Sequence, residues 1–221
     1  MAPLDFFRNK EYVSFMVTYT ELRSDRKRLL ALTGLTLPEF ELLLPAFARA
    51  YHYRHPPDRT MTGQPRQRAA GAGRTVVLAG AEQKLWFLLV YLKTYPLQVI
   101  LAELFGLSPA RVNYWLHQLL PVLREALDDL GVLPQRDPQA FARTPTRPQE
   151  RTRRIVDGTE RRRQRPKNPE QQRAHSSGRK KTHSAKNVVG AGADSRRSHF
   201  LSETYAGRVS AKAIAAQEGI V

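Results

Sequence analysis

The 221-residue sequence contains no cysteine, which excludes disulfide bonds and metal sites built from thiolates. Its longest apolar run, from Leu85 to Leu92, is far shorter than the ~20 residues that a helix needs to cross a membrane. The first ten residues lack the apolar stretch of a signal peptide. These absences predict a cytoplasmic protein without a membrane partner.

Acidic residues are scarce as well. The chain has 20 Asp and Glu against 36 Lys and Arg, for a formal net charge of +16. Residues 136–186 contain 16 basic and 5 acidic residues, so this stretch carries +11 of that charge. Such clustering favours a polyanionic partner, because each phosphate that a protein neutralises releases condensed counterions. A nucleic acid is therefore the expected partner.

The first 56 residues carry the signals of a helical region. Thr36 and Glu39 form a capping box, in which threonine caps the helix and glutamate reaches back to the amide of the cap. Apolar residues then recur at helical spacing, at Phe40, Leu43, Leu44 and Phe47. Pro45 is predicted to bend or shorten this helix. Residues 57–74, rich in proline and glycine, are predicted to be a linker.

Residues 75–133 are predicted to form a helix-turn-helix domain. After one apolar helix, the segment Gln98–Phe105 indicates a short second helix that Gly106 ends. Ser108 is a good cap for a long third helix, which Pro121 is predicted to bend or split. In a helix-turn-helix the last helix enters the major groove of DNA.

The exposed side of this third helix supplies four candidate DNA contacts. These are Arg111, Tyr114, His117 and Gln118. Arginine suits a guanine edge or a phosphate, and glutamine suits an adenine. The alternative is an ordinary packed helical bundle without a DNA-binding role.

The rest of the chain shows weaker patterns. Residues 134–153 are rich in proline and arginine and are predicted to be a basic linker. A structureless stretch is expected after Asp157, up to Ala185. Residues 187–192 and 198–205 are predicted to be strands joined by a turn near Asp194, and a helix is expected to begin near Ser210.

Asp157 is the main candidate for chemistry. The apolar pair Ile155 and Val156 runs into Asp157 and Gly158, which predicts the end of a buried strand that delivers a carboxylate into basic surroundings. A metal-dependent nuclease needs such a carboxylate to hold Mg²⁺ against a DNA phosphate. Taken alone, however, Asp before Gly is more typical of a turn.

Three stretches together resemble a known family. They are the helix-turn-helix with Tyr114-Trp115-Leu116, the segment 155–159, and the basic run 178–186. The sequence resembles bacterial insertion-sequence transposases of the DDE superfamily, the group related to Harbinger nucleases. The resemblance implies an α+β chain, with an all-α helix-turn-helix domain followed at 154–221 by an incomplete RNase H-like α/β nuclease domain.

The resemblance also assigns roles to residues. It implies that Asp157 is the first catalytic carboxylate and a ligand of Mg²⁺. It implies that Lys180, Lys181 and His183 contact the DNA backbone or order the strand that enters the site. The neighbouring run Arg161, Arg162 and Arg163 is either a phosphate clamp or a solvated loop, and its closeness to Asp157 favours the clamp.

The sequence departs from the family at the second acid. Ala211 stands where the family has its second aspartate, Ser210 stands where it has a histidine, and the third acid would fall beyond Val221. Glu160 is either a further acid of the site or an ion-pair partner of the arginine run. One carboxylate holds two divalent ions poorly, so weak or absent Mg²⁺ binding is expected.

The leading interpretation is a C-terminally truncated transposase. It is expected to bind double-stranded DNA, at element ends if it is specific, to associate with the nucleoid, and to be unable to cleave alone; a homo-oligomer is left open. One alternative is a non-enzymatic DNA-binding regulator of a related element. A weaker one is an RNA-binding protein, although the basic stretch has only Phe141 as an aromatic platform.

Overall fold

The computed structural model describes residues 18–59, 63–67, 77–143, 154–193 and 197–220. The chain divides into two compact units, residues 1–132 and 133–221. Much of the predicted linker at 57–74 and the predicted turn at Asp194 lie outside the described residues. Helix and antiparallel sheet are both present, as the α+β prediction requires.

The first unit is helical. Its helices are α1 (Tyr19–Ser24), α2 (Arg26–Thr33), α3 (Leu37–Arg54), α4 (Ala81–Thr94), α5 (Gln98–Phe105) and α6 (Pro109–Asp129). The predicted capping box begins α3, where the Thr36 amide donates to Glu39 Oε2 over 2.8 Å. Neither Pro45 nor Pro121 ends its helix. Burial of the apolar faces outweighs the single helical hydrogen bond that each proline removes.

Helix α4 is the centre of this unit. Seven consecutive residues, from Lys84 to Val90, are buried. A helix that is buried on all sides needs neighbours all round, and α1, α2, α3 and α6 all contact α4. Large side chains complete the core, including Phe40, Phe47, Phe87 and Leu119.

Lys84 is an unusual member of this core, with only 5% of its surface exposed. Its Nζ donates hydrogen bonds to three carbonyl oxygens of the segment that leads into α4: Leu78 at 2.7 Å, Ala79 at 2.8 Å and Gly80 at 3.3 Å. Aromatic rings of Tyr51 and Trp115 lie 4.9 Å and 5.5 Å away. Burial lowers the pKa of Lys84. The ammonium therefore ties the entry of α4 to the packed helices.

The second unit is a four-stranded sheet with short helices. Its elements are α7 (Pro138–Arg143), β1 (Arg154–Arg162), α8 (Pro169–His175), β2 (Ser184–Gly192), β3 (Ser198–Leu201), β4 (Tyr205–Ala206) and α9 (Ala211–Gln217). The sheet order is β1-β2-β3, with β4 also paired to β2, and every pairing is antiparallel. Ser210 caps α9, as predicted, by accepting from the amide of Ala213.

The core of this unit lies on one face of the sheet. Val188, Phe200 and Ile214 are fully buried there. Phe141 of α7 is buried too, against Phe200, and a Cβ at Gly190 would come within 3.0 Å of its ring. The prediction of a linker from residue 134 therefore begins too early, because a single aromatic anchor brings α7 into the unit.

The prediction of a structureless stretch up to Ala185 is wrong. Strand β1 continues to Arg162, and α8 follows it. Asn168 caps α8 by accepting from the amide of Glu170 over 2.8 Å, and Pro169 occupies the first helical position. Because α8 buries none of its side chains, its sequence has no apolar periodicity to reveal it.

Within the described ranges, no single helix is long and apolar enough to span a membrane. Helices α2 and α3 pass that test only as a pair, with a bend of 58° between them.

Candidate nucleic-acid interface and catalytic aspartate

The predicted helix-turn-helix consists of α5, the turn at Gly106 and α6, and α5 spans the predicted segment Gln98–Phe105. Helix α5 ends at Gly106, whose φ of 60° lies in the left-handed region. Ser108 caps α6 by accepting from the Arg111 amide over 3.3 Å. The apolar face of α6 packs into the core through Val112, Trp115, Leu116 and Leu119. The opposite face of its N-terminal half is therefore left to solvent.

Arg111 and His117 are exposed on that face, and Tyr114 is half-buried beside them. The guanidinium of Arg111 lies 5.7 Å from the centroid of the Tyr114 ring, within the range of a cation–π contact. This contact orients Arg111 along its own helix. A preoriented arginine needs little further ordering to meet a phosphate or a guanine.

Gln118 has a partner within the protein. Its Oε1 lies 3.0 Å from Nε2 of His55, and the His55 ring stacks on Tyr51 with centroids 4.5 Å apart. His55 is thus half-buried against α6, whereas His52 is exposed. Gln118 would have to leave His55 before it could contact an adenine.

Two ion pairs hold α3 along α6. Arg54 makes a bidentate pair with Glu125, and Arg49 pairs with Asp129 over 2.6 Å. The hydrogen bond and the opposite charge raise the pKa of Arg54 and lower the pKa of Glu125. Together with the contact between His55 and Gln118, the two ion pairs hold α3 and α6 antiparallel to each other and support the exposed face of α6.

Asp157 lies in the interior of β1 rather than at its end, so the prediction of a strand terminus is wrong. The strand continues because the five residues after Asp157 pair with residues 184–188 of β2. The Asp157 side chain is exposed, and its Oδ1 accepts from the amide of Gly158 over 2.7 Å.

The neighbour of Asp157 faces the other way. A Cβ on Gly158 would lie 2.6 Å from the Cβ of Ala211, so the Gly158 face of β1 packs on the start of α9. Successive residues of a strand project to opposite faces of the sheet. Ala211, which stands where the family has its second acid, therefore packs on the face of β1 opposite to the Asp157 carboxylate.

Glu160 shares the face of Gly158 and is engaged there. Hydrogen bonds from Ser177 and Ser184 lower the pKa of Glu160, and the charges of Lys186 and Lys180 add to the effect. The Ser184 hydroxyl donates to Glu160 Oε1 over 2.5 Å. Glu160 is thus neither an ion-pair partner of the arginine run nor a companion of Asp157.

The residues around Asp157 do not fit the divalent-metal site that the resemblance implies. Across the part of the chain that the structure describes, no three His, Asp or Glu side chains come together in a group that could hold an ion. Hard divalent ions require several oxygen ligands, and two-metal chemistry needs carboxylates that bridge or flank both ions. Asp157 supplies one carboxylate.

The predicted basic residues gather at one end of the sheet. Arg161 donates to Asn187 Oδ1 over 2.9 Å, Arg162 is exposed, and the Arg163 amide donates to the His183 carbonyl over 3.0 Å. Lys180 and Lys181 are exposed on the turn that leads to the half-buried His183. Sequence reasoning missed further exposed cations in and around α8, namely Arg165, Lys167 and Arg173, because that segment carried no structural signal.

Two family profiles match the chain. Residues 77–129 match the family described as "Helix-turn-helix of DDE superfamily endonuclease", and residues 156–221 match "DDE superfamily endonuclease". No curated protein and no solved structure matches the chain. The first match spans α4, α5 and α6, and the second begins one residue before Asp157. Over these two segments the chain is thus similar to DDE superfamily endonucleases that carry a helix-turn-helix ahead of the endonuclease region, as the sequence predicts.

Proposed function

We propose that this chain binds double-stranded DNA through α6 and does not cleave it on its own. The observation that carries the proposal is the exposed face of α6, which follows a capped turn within the segment that matches the family's helix-turn-helix. Arg111 is exposed on this face and would contact a base edge or a phosphate, and His117 is exposed further along the same face. Binding of this kind would place the chain with the nucleoid, and element ends are its proposed targets.

The second unit adds a phosphate-binding surface to the proposal. The exposed cations Arg162, Lys180 and Lys181 lie at one end of the sheet, together with those around α8. Residues 154–186 contain 11 Lys and Arg against 3 Asp and Glu. Contacts with phosphates carry no sequence information but position a protein on the duplex and give binding its salt dependence.

Arg111→Ala tests the role of α6. We expect it to weaken binding by about 10- to 100-fold, because a bidentate arginine contact contributes roughly 1–3 kcal/mol of discrimination. Fluorescence anisotropy would measure this at several salt concentrations, with a duplex selected by the protein from a random pool and a scrambled duplex. Arg28→Ala is the control, since Arg28 is an exposed arginine on α2. Equal losses in the two variants would count against the role of α6.

The incomplete carboxylate set is tested by trying to complete it. Endonucleases of the DDE superfamily generally use a divalent metal. Ala211 of α9 packs against the face of β1 opposite to the Asp157 side chain. We therefore expect Ala211→Asp to gain neither Mg²⁺-dependent nicking of supercoiled DNA nor a Mg²⁺-induced rise in melting temperature. The wild type and Asp157→Asn should both remain at background. Nicking by the wild type that Asp157→Asn abolishes would refute the proposal.

A DNA-binding regulator of a related element is the second candidate function. It is favoured by the contrast between a helix-turn-helix with both caps in place and the absence, among the described residues, of a group of three His, Asp or Glu side chains that could hold a metal ion. A regulator would lower cleavage of a shared DNA end by a catalytically complete family member. A chain without regulatory function would leave that cleavage unchanged when it is added at saturating concentration.

A further inference from the structure

The side-chain amide of Gln118 on α6 is held by a histidine of α3. Its Oε1 lies 3.0 Å from Nε2 of His55, so the imidazole N–H donates and the amide oxygen accepts. Both residues are half-buried. The oxygen end of the amide is therefore engaged inside the protein. Within the described part of the chain, the NH₂ group is the end that remains for another molecule.

The His55 side chain is itself held in place. Its ring stacks on the Tyr51 ring, with centroids 4.5 Å apart and an angle of 19° between the planes, and its Nδ1 lies 3.2 Å from the Tyr51 carbonyl oxygen. The preceding residue, Arg54, is anchored to α6 by its bidentate pair with Glu125. Release of Gln118 would leave the N–H of a half-buried ring without its acceptor, which costs free energy. We therefore expect Gln118 to keep this contact when α6 meets DNA.

Gln118 lies on the same stripe of α6 as Arg111. The two positions are seven residues apart, which is close to two turns of an α-helix, so their side chains project in nearly the same direction. Tyr114 lies between them on the helix, and its ring is 5.7 Å from the Arg111 guanidinium. A duplex that contacts Arg111 along the axis of α6 would thus meet the NH₂ group of Gln118 as well.

We propose that His55 is a specificity-determining residue, which makes Gln118 a donor-only contact and directs it to a guanine instead of an adenine. In the major groove an adenine presents an acceptor at N7 and a donor at N6, so its bidentate contact with glutamine uses both ends of the amide. A guanine presents two acceptors, N7 and O6, and the NH₂ group alone can donate to them. This inference rests on the proposed binding of DNA through α6.

Selection of duplexes from a random pool tests the inference, followed by fluorescence anisotropy on the selected site and its single-base variants. Gln118→Ala identifies the base pair that Gln118 contacts, because base preference should be lost at that pair alone. There we expect the wild type to prefer guanine over adenine by about 10-fold, the size of one good base contact. His55→Phe keeps a ring that can stack on Tyr51 but cannot donate, and it should shift the preference at this pair to adenine.

Three further variants make the test specific to the contact between His55 and Gln118. His52→Phe is the matched control, because His52 is an exposed histidine on the same helix, and it should select the wild-type site. His55→Leu removes the donor without adding a ring and should shift the preference as His55→Phe does, and circular dichroism would check that each variant folds. His55→Phe combined with Gln118→Ala should show no preference at the pair, which excludes a general loosening of α6.

The outcomes separate this inference from the proposed function. A wild type that prefers adenine at the pair, or for which Gln118→Ala alters no base preference because the amide contacts a phosphate, would overturn the inference and leave DNA binding in place. An unchanged guanine preference in both His55 variants would overturn it too. A wild type that binds no duplex, or whose affinity is unchanged in Arg111→Ala, would refute the proposed function and the inference with it.

Discussion

Lys84→Met should lower the free energy of unfolding of the helical unit by about 3 kcal/mol. Hydrogen bonds from a charged group contribute roughly 1.5–3 kcal/mol to stability, and a carbonyl left buried without a donor costs about 1–3 kcal/mol. Methionine matches the length of lysine and removes the donor. Replacing a buried charge by an apolar side chain can be neutral when its partners leave with it. Here the carbonyls of Leu78, Ala79 and Gly80 remain in place, so we expect a net loss.

Urea denaturation followed by tryptophan fluorescence would measure this effect. The chain has two tryptophans, Trp86 and Trp115, and both are buried in the helical unit. Lys27→Met is the control, because Lys27 is exposed on α2 of the same unit. A difference of less than about 0.5 kcal/mol between the variants, the size of an ordinary surface effect, would show that the ammonium contributes little.

Gly158→Ala should destabilise the sheet unit by about 2 kcal/mol, the typical size of an overpacking effect. The new methyl group would lie 2.6 Å from the Ala211 Cβ and 3.7 Å from its Cα, so α9 would have to shift. Ala211→Gly removes the obstructing carbon and should recover much of the loss. A double-mutant cycle should therefore give a coupling energy of about 1–2 kcal/mol between the two positions.

Hydrogen exchange of the β1 and β2 amides would report on this unit, which lacks tryptophan. Gly178→Ala is the matched control, since an added Cβ there meets nothing within 4 Å. Its amide protection should equal that of the wild type. Two results would show that β1 and α9 are not in the close contact described above. Gly158→Ala would keep full amide protection, or the addition of Ala211→Gly would fail to restore the protection that Gly158→Ala had lost.

Local signals made much of the helical unit predictable. The bounds of α5 follow from its sequence because Gly106 ends it and Ser108 begins the next helix within three residues. The capping box of Thr36 and Glu39 likewise marks the start of α3. Signals of this kind act between residues that are close in sequence, and tertiary packing does not have to be known to read them.

The surroundings of Asp157 depend on contacts that are distant in sequence. The apposition of Gly158 and Ala211 joins residues 53 positions apart, and the alternation along β1 is obscured by the arginines that follow Glu160. His55 and Gln118 are 63 positions apart. A motif can therefore suggest that Asp157 is a catalytic residue, but it cannot say which side chains share a face of the sheet with it.

One edge of strand β1 has a bearing on how this protein behaves when concentrated. Among the strands that the structure describes, only β2 pairs with β1, so the outer amides and carbonyls of β1 are open to a strand of another molecule. An open edge of this kind is a template for fibril growth. Arg161 and Arg162 are exposed along it, and like charges on approaching copies repel each other. We therefore expect the arginine run to oppose amyloid-like stacking along this edge.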